Sequence, residues 1–251
     1  MPTQRSSFDA VLHQLEAERH ARRAVMSTSA DRVARTLRSR IADGDLRPGT
    51  RLPEERLGAA LGVSRNTLRE ALSMLVAERL LARQPHRGVV VATPDADDVS
   101  DVYAARIVLE PGCLRVGVAT GRDLADLRRA VDRGHEAHAA DDERALADAN
   151  QAFHRAVVAL AGSRRLDTAM DLLLAEMRLA FHVMAELIGG VAPFHRPYLA
   201  RNERICRLAE EGRAEDAAAA LAAYLQETRV SLVADLGGAA DTDGAASVTP
   251  G

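Results

Sequence analysis

The sequence predicts a mainly α protein in two parts, three short helices and a β-hairpin followed by an all-helical bundle. Three observations carry this. Apolar residues recur every three to four positions through most of the chain, the period of an amphipathic helix. One β-branched run, Val89-Val90-Val91, follows a turn sequence, Gln84-Pro85-His86-Arg87-Gly88. Charge is divided as well: residues 1–92 hold 16 Arg against 10 Asp and Glu, a balance of +6, while residues 93–251 hold 17 Arg against 26 acidic residues, a balance of −9. A basic first third on an acidic remainder points to a nucleic-acid module joined to a separate body.

Residues 1–29 are polar and Arg-rich and read as an N-terminal extension; Phe8, Val11, Leu12 and Leu15 lie at helical spacing but offer too little apolar surface for a domain. Residues 30–92 form the first domain. Val33, Leu37 and Ile41 mark one helix face, stopped by Asp43-Gly44. Pro48-Gly49 is a turn, Pro53 opens a second helix through Leu57, Ala60 and Leu61, and Gly62-Val63 breaks it. Ser64 is a good N-cap for a third helix burying Leu68, Ala71, Leu72 and Leu75.

Three helices and a hairpin in about 60 residues make a winged helix-turn-helix, whose third helix enters the major groove of double-stranded DNA. Arg65 and Arg69, four apart, share the face opposite Leu68 and Leu72, with Asn66 and Thr67 beside them. Arg can fork guanine and Asn can fork adenine, so Ser64, Arg65, Asn66, Thr67 and Arg69 are the candidate DNA contacts of the helix. His86, Arg87 and Gly88 are those of the hairpin tip.

Thr93-Pro94-Asp95 reads as a linker, and residues 97–234 as the second domain. Helices are expected near 97–119, 122–139, 142–161, 164–188, 196–211 and 214–233, and residues 235–251, small and polar, as a disordered tail. Val99, Val102, Arg106, Leu109, Cys113 and Val116 form one predicted buried stripe with an arginine in its middle. A buried guanidinium needs an anion, supplied by Glu110 four residues on or by a ligand. Asn150 and His154 lie in the seam of the third of these helices, Asn202 in the fifth and Tyr224 in the last. Polar residues in four apolar seams predict a polar cavity inside a helix bundle. Arg106, Asn150, His154, Asn202 and Tyr224 are therefore the candidate effector-binding residues.

Composition excludes other classes. No apolar run approaches the ~20 residues that span a bilayer, and the N-terminus has no apolar core of a secretory signal. Cys113 and Cys206 are too few for a disulfide framework or a zinc knuckle and fit a reducing, cytoplasmic setting. With no Trp and 3% aromatics, base stacking on aromatic platforms is not expected. No phosphate-binding loop or Gly-x-Ser-x-Gly elbow is present, so no catalytic residues are assigned.

The stretch LRSRIADGDLRPGTRLPEERLGAALGVSRNTLREALSMLVAERLLARQPHRGVVV resembles the DNA-binding domain of the GntR family of bacterial transcription regulators. It departs only at ERLL, where the family has Glu-Gly-Leu. Residues 97–230 more loosely resemble the FCD effector domain of the FadR-like subfamily, through Arg106 to Pro111, Asn150 to His154 and the late helix pair around Gly212. The resemblance implies a homodimeric, ligand-responsive regulator, a repressor, released or re-set by a small metabolite, and the inward Arg106 makes an anionic one the expectation. The family bundle commonly holds a metal through Asp, His, His and His. Here Asn150 stands at the Asp, His154 at the first His, Asn202 at the second and Tyr224 at the third, so neither a metal nor another cofactor is expected. A DNA-binding domain fused to an enzyme-like helical domain and an architectural DNA-binding protein without effector are the alternatives.

Overall fold

The computed structural model describes residues 29–187 and 196–245. The expected extension at 1–28 lies outside them. The chain separates into two compact units, meeting between Ala92 and Thr93.

In the first unit, α1 covers residues 29–42, α2 Glu54–Leu61, α3 Arg65–Ala77, β1 Leu81–Gln84 and β2 Gly88–Val91. Ala30, Val33, Ala34, Leu37 and Ile41 of α1 are buried, as are Leu68, Ala71, Leu72 and Leu75 of α3. The α2–α3 turn is made by Gly62, at φ 64°. A side chain there would strain the backbone, since only glycine visits this region freely. Antiparallel β1 and β2 pair Leu81 with Val91 and Gln84 with Gly88, placing Val89, Val90 and Val91 against the core. The Pro48-Gly49 segment does more than turn. It pairs along the other edge of β2, where Leu52 N–H donates to Val89 O at 2.9 Å and Val91 N–H to Thr50 O at 2.9 Å. Its prolines and glycine hide this from strand propensity.

The regular structure of the second unit's described residues is all helical: α4 Ala96–Ala119, α5 Ala125–Ala139, α6 Glu143–Ala159, α7 Arg164–Leu187, α8 Arg196–Glu210 and α9 Ala214–Ala245. A reciprocal capping box between Asp95 and Asp98 starts α4. The α4 and α9 helices run antiparallel in contact, tied by Arg115 Nε to Glu215 Oε2 at 2.9 Å at one end and Arg229 Nη2 to Ser100 Oγ at 2.7 Å at the other. Between α4, α6, α8 and α9 lies a core of Val99, Val102, Phe153, Val157, Ile205, Leu221 and Leu225.

Three expectations are corrected. The expected tail from 235 is helical to Ala245. Gly237 and Gly238 each cost a helix only about 1 kcal/mol relative to Ala, and no proline intervenes before Pro250; residues 246–251 lie outside the description. The α5 helix begins at Ala125, not 122, because Asp123 Oδ1 accepts from Ala125 N–H at 2.9 Å in the preceding turn. The stripe on α4 also fails at its end, since Val116 is 52% exposed. A strict 3,4,3,4 spacing drifts about 20° per heptad from a straight helix. Toward the C-terminal end of α4 the buried face has therefore passed to Glu110, Leu114 and Gly117, with Cys113 still at its border.

Candidate nucleic-acid interface and effector site

The start of α3 is built by its cap. Ser64 Oγ accepts from Thr67 N–H at 3.2 Å and lies 2.9 Å from Thr67 Oγ1. These two hydroxyls are thus engaged in holding the helix terminus. Arg65, Asn66 and Arg69 are exposed, whereas Thr67 is half-buried. Arg69 Nε donates to Glu54 Oε2 of α2 at 2.9 Å. At the hairpin tip, Arg87 N–H donates to Gln84 O at 3.2 Å, closing a turn with Pro85 second and His86, at φ 62°, third. This is the pattern of a type II turn. Gly88, at φ 78°, returns the chain to β2, and His86, Arg87 and Gly88 all stand exposed.

In the second unit the buried polar residues converge. Arg106, Glu110, His154, Asn202 and Tyr224 are each at most 4% exposed. Arg106 Nε donates to Glu110 Oε1 at 2.7 Å, and the guanidinium lies 4.8 Å from the centre of the Tyr103 ring. Glu110 Oε2 is 2.6 Å from His154 Nδ1, and His154 Nε2 is 3.3 Å from the Tyr224 hydroxyl. Tyr198 of α8 packs on Tyr224 with ring centres 5.4 Å apart. One helical turn away on α6 and on α8, Asn202 Nδ2 donates to Asn150 Oδ1 at 2.8 Å; Asn150 is half-buried.

Burial would raise the Glu110 pKa, but the Arg106 guanidinium and His154 outweigh it and hold the carboxyl below its usual range. Burial likewise opposes charge on Arg106, and Glu110 reverses this, so the pair stays ionised. Burial pushes His154 below its ordinary value despite Glu110, leaving the imidazole neutral near pH 7. The predicted polar seams of α4, α6 and α9 therefore meet through Glu110 and His154, while the Asn202 of α8 meets Asn150. Sequence reasoning treats Glu110 only as a partner for Arg106; its contact with His154, 44 residues on, has no signature in spacing. Tyr103 and Tyr198 were missed too, since aromatic residues at helical spacing read as core.

Two polar atoms of these side chains are buried without a hydrogen-bond partner among the described residues, Arg106 Nη2 and Asn202 Oδ1. One is a donor on a cation and the other an amide oxygen, which accepts. Each is costly to leave unpaired, by about 1–3 kcal/mol.

The metal of the FCD resemblance does not fit these donors. Both His154 nitrogens face partners, Asn150 Oδ1 already accepts from Asn202, and Tyr224 is pushed well above its ordinary pKa by burial, so its phenol stays neutral. Among the described residues no group of three His, Cys, Asp or Glu comes together to hold an ion. Nor is any described helix long and apolar enough to cross a membrane.

Comparison with known proteins agrees with both units. Residues 29–91 match the model of bacterial regulatory proteins of the gntR family, and residues 101–227 that of the FCD domain. The chain is 34% identical over 185 residues to the uncharacterized HTH-type transcriptional regulator BphR of Paraburkholderia xenovorans LB400, covering 69% of this chain and 75% of BphR. It is 32% identical over 138 residues to the transcriptional repressor GlaR of Escherichia coli K12, covering 53% and 63% of the two chains. Among solved structures, a GntR transcriptional regulator from Rhodococcus sp. RHA1 superposes with a TM-score of 0.76 at 37% identity, over 82% of this chain and 98% of that one. Escherichia coli McbR, at 23% identity, shares the fold with a TM-score of 0.67, over 81% and 96%. These relatives are transcription regulators rather than enzymes. With a winged helix-turn-helix ahead of a helical bundle and both family models matched in order, the chain belongs to the GntR family of bacterial transcription regulators, with an FCD effector domain as its second unit.

Proposed function

We propose that the chain is a homodimeric repressor that binds double-stranded operator DNA through α3 and the hairpin and is released by a small anionic metabolite, without a metal. The observation that carries the effector reading is the buried Arg106 Nη2, a charged donor with no hydrogen-bond partner among the described residues. A ligand carboxylate or phosphate would satisfy it with a charge-assisted bond. A ligand hydroxyl or amine would serve Asn202 Oδ1, with His154, Tyr224 and Asn150 lining the same seam. Glu110 is the built-in counter-ion that keeps Arg106 compensated when no ligand is present. For ligand to change DNA binding, it must bind two states of the protein unequally.

On DNA, Arg65, Asn66 and Arg69 are the base-reading candidates, Ser64 and Thr67 fix the helix terminus that faces a phosphate, and His86, Arg87 and Gly88 approach the backbone. The test is a thermal-shift screen with small carboxylates, sugar phosphates and acyl-CoAs, followed by DNA-binding titrations with each hit. Stabilisation without turnover, together with weakened DNA binding, supports the reading. Turnover of a hit would replace it with an enzyme-like domain, and no response to the whole panel with an architectural protein.

A further inference from the structure

The link between α2 and α3 gives the DNA-facing surface one feature that helix periodicity does not explain. Glu54 is the first residue of α2, and its carboxylate reaches Arg69, 15 residues on. An acidic residue in a first turn suits the helix dipole, but Glu55 beside it meets that need equally well. The ion pair adds little stability either, because both side chains are solvent-accessible, Arg69 at 65% and Glu54 at 36%. On affinity for DNA a carboxylate here works in the wrong direction, since it repels phosphates.

What the contact does fix is orientation. Glu54 takes the Nε of Arg69 and so leaves the outer pair of guanidinium nitrogens, the edge that forks guanine O6 and N7. Arg65, one turn earlier on the same face, makes no side-chain hydrogen bond among the described residues and is not held in this way. We infer that Glu54 is a positioning residue for Arg69, one that lowers affinity for DNA in general and raises discrimination at the base pair Arg69 reads. The inference rests on the proposed major-groove reading by α3.

The experiment uses the full chain and duplexes selected by it from a random-sequence pool. Dissociation constants are measured on the selected duplex, on each single-base-pair variant of it and on random-sequence duplex, for the wild type, Glu54→Gln, Glu54→Ala, Arg69→Ala and the Glu54→Gln/Arg69→Ala double variant. Immobilising a long side chain costs about 0.5–1.5 kcal/mol, so releasing Arg69 should reduce discrimination by about 2- to 10-fold. The expected loss in both Glu54 variants falls at the same base pair that Arg69→Ala affects, random duplex is bound more tightly than by wild type, and the double variant discriminates no worse than Arg69→Ala. Unchanged discrimination in the Glu54 variants while Arg69→Ala loses it at one base pair overturns this inference alone. So does a loss spread evenly over the site. An Arg69→Ala variant that discriminates like wild type overturns base reading by Arg69 and the inference with it.

Discussion

Replacing Glu110 by Gln keeps the shape of the side chain and removes its charge, which isolates the ion pair at the heart of the FCD bundle. Arg106 is 3% exposed and Glu110 fully buried, with 2.7 Å between Nε and Oε1. Among the described residues Glu110 is the acidic group bonded to both Arg106 and His154. Breaking a buried pair from one side costs about 3–5 kcal/mol, because the remaining charge is stranded. Gln retains a neutral acceptor for the guanidinium, so the low end, about 3 kcal/mol, applies. At about 2–4 °C per kcal/mol for a unit of this size, the bundle should melt about 6–12 °C lower. The assay is circular-dichroism melting of the full chain at pH 7. A second variant, Arg106→Met/Glu110→Gln, should recover part of the loss, since it removes the stranded charge. The pH dependence has a definite sign. The folded pKa of Glu110 lies below its unfolded value, so the stability it adds is present above the unfolded value and lost as pH falls through the folded one. The gap between wild type and Glu110→Gln must therefore narrow on strong acidification. A variant melting within about 2 °C of wild type at pH 7, or a gap that stays constant into acid, would refute the reasoning.

Arg106→Ala and Arg106→Lys variants that retain a native-like melting curve should both lose the response to any effector the screen identifies, because an ammonium lacks the planar fork, while DNA binding persists; an unaltered effector dissociation constant in either variant would contradict this. Arg65→Ala should weaken binding to a selected duplex by about 1–3 kcal/mol and relax specificity at one position, whereas Arg87→Ala at the hairpin should weaken binding evenly across sequences; quantitative mobility-shift titrations distinguish the patterns. Exhaustive chelation of untagged protein should change neither the melting temperature nor DNA binding, and a stoichiometric transition metal in elemental analysis would contradict it. Both cysteines should resist a thiol reagent at pH 8 until the protein unfolds, since both are buried and burial, with nearby Glu210 and Glu203, pushes the Cys206 thiol up to about 12 despite Arg128; rapid labelling of native protein would refute this.

The first unit was legible almost residue by residue because its determinants are local. A cap at Ser64, a glycine at a left-handed turn and an apolar pair one turn apart each act within a few residues, and each has a sequence signature. Helix existence in the second unit was legible for the same reason, and so was the inward direction of Arg106. Its outer limits were not: the end of the α4 stripe depended on the difference between a 3.5- and a 3.6-residue period, and the continuation of α9 past 235 on whether two glycines suffice to stop a helix. What only the tertiary structure decided is which inward polar groups meet. Glu110 joins Arg106 four residues away and His154 44 residues away, Tyr224 reaches His154 from the last helix, and Asn202 pairs with Asn150. Periodicity gives each side chain a direction on its own helix. It carries no information on the rotation and axial offset of the helix that packs opposite, which are set by how all the side chains of the bundle fill space together.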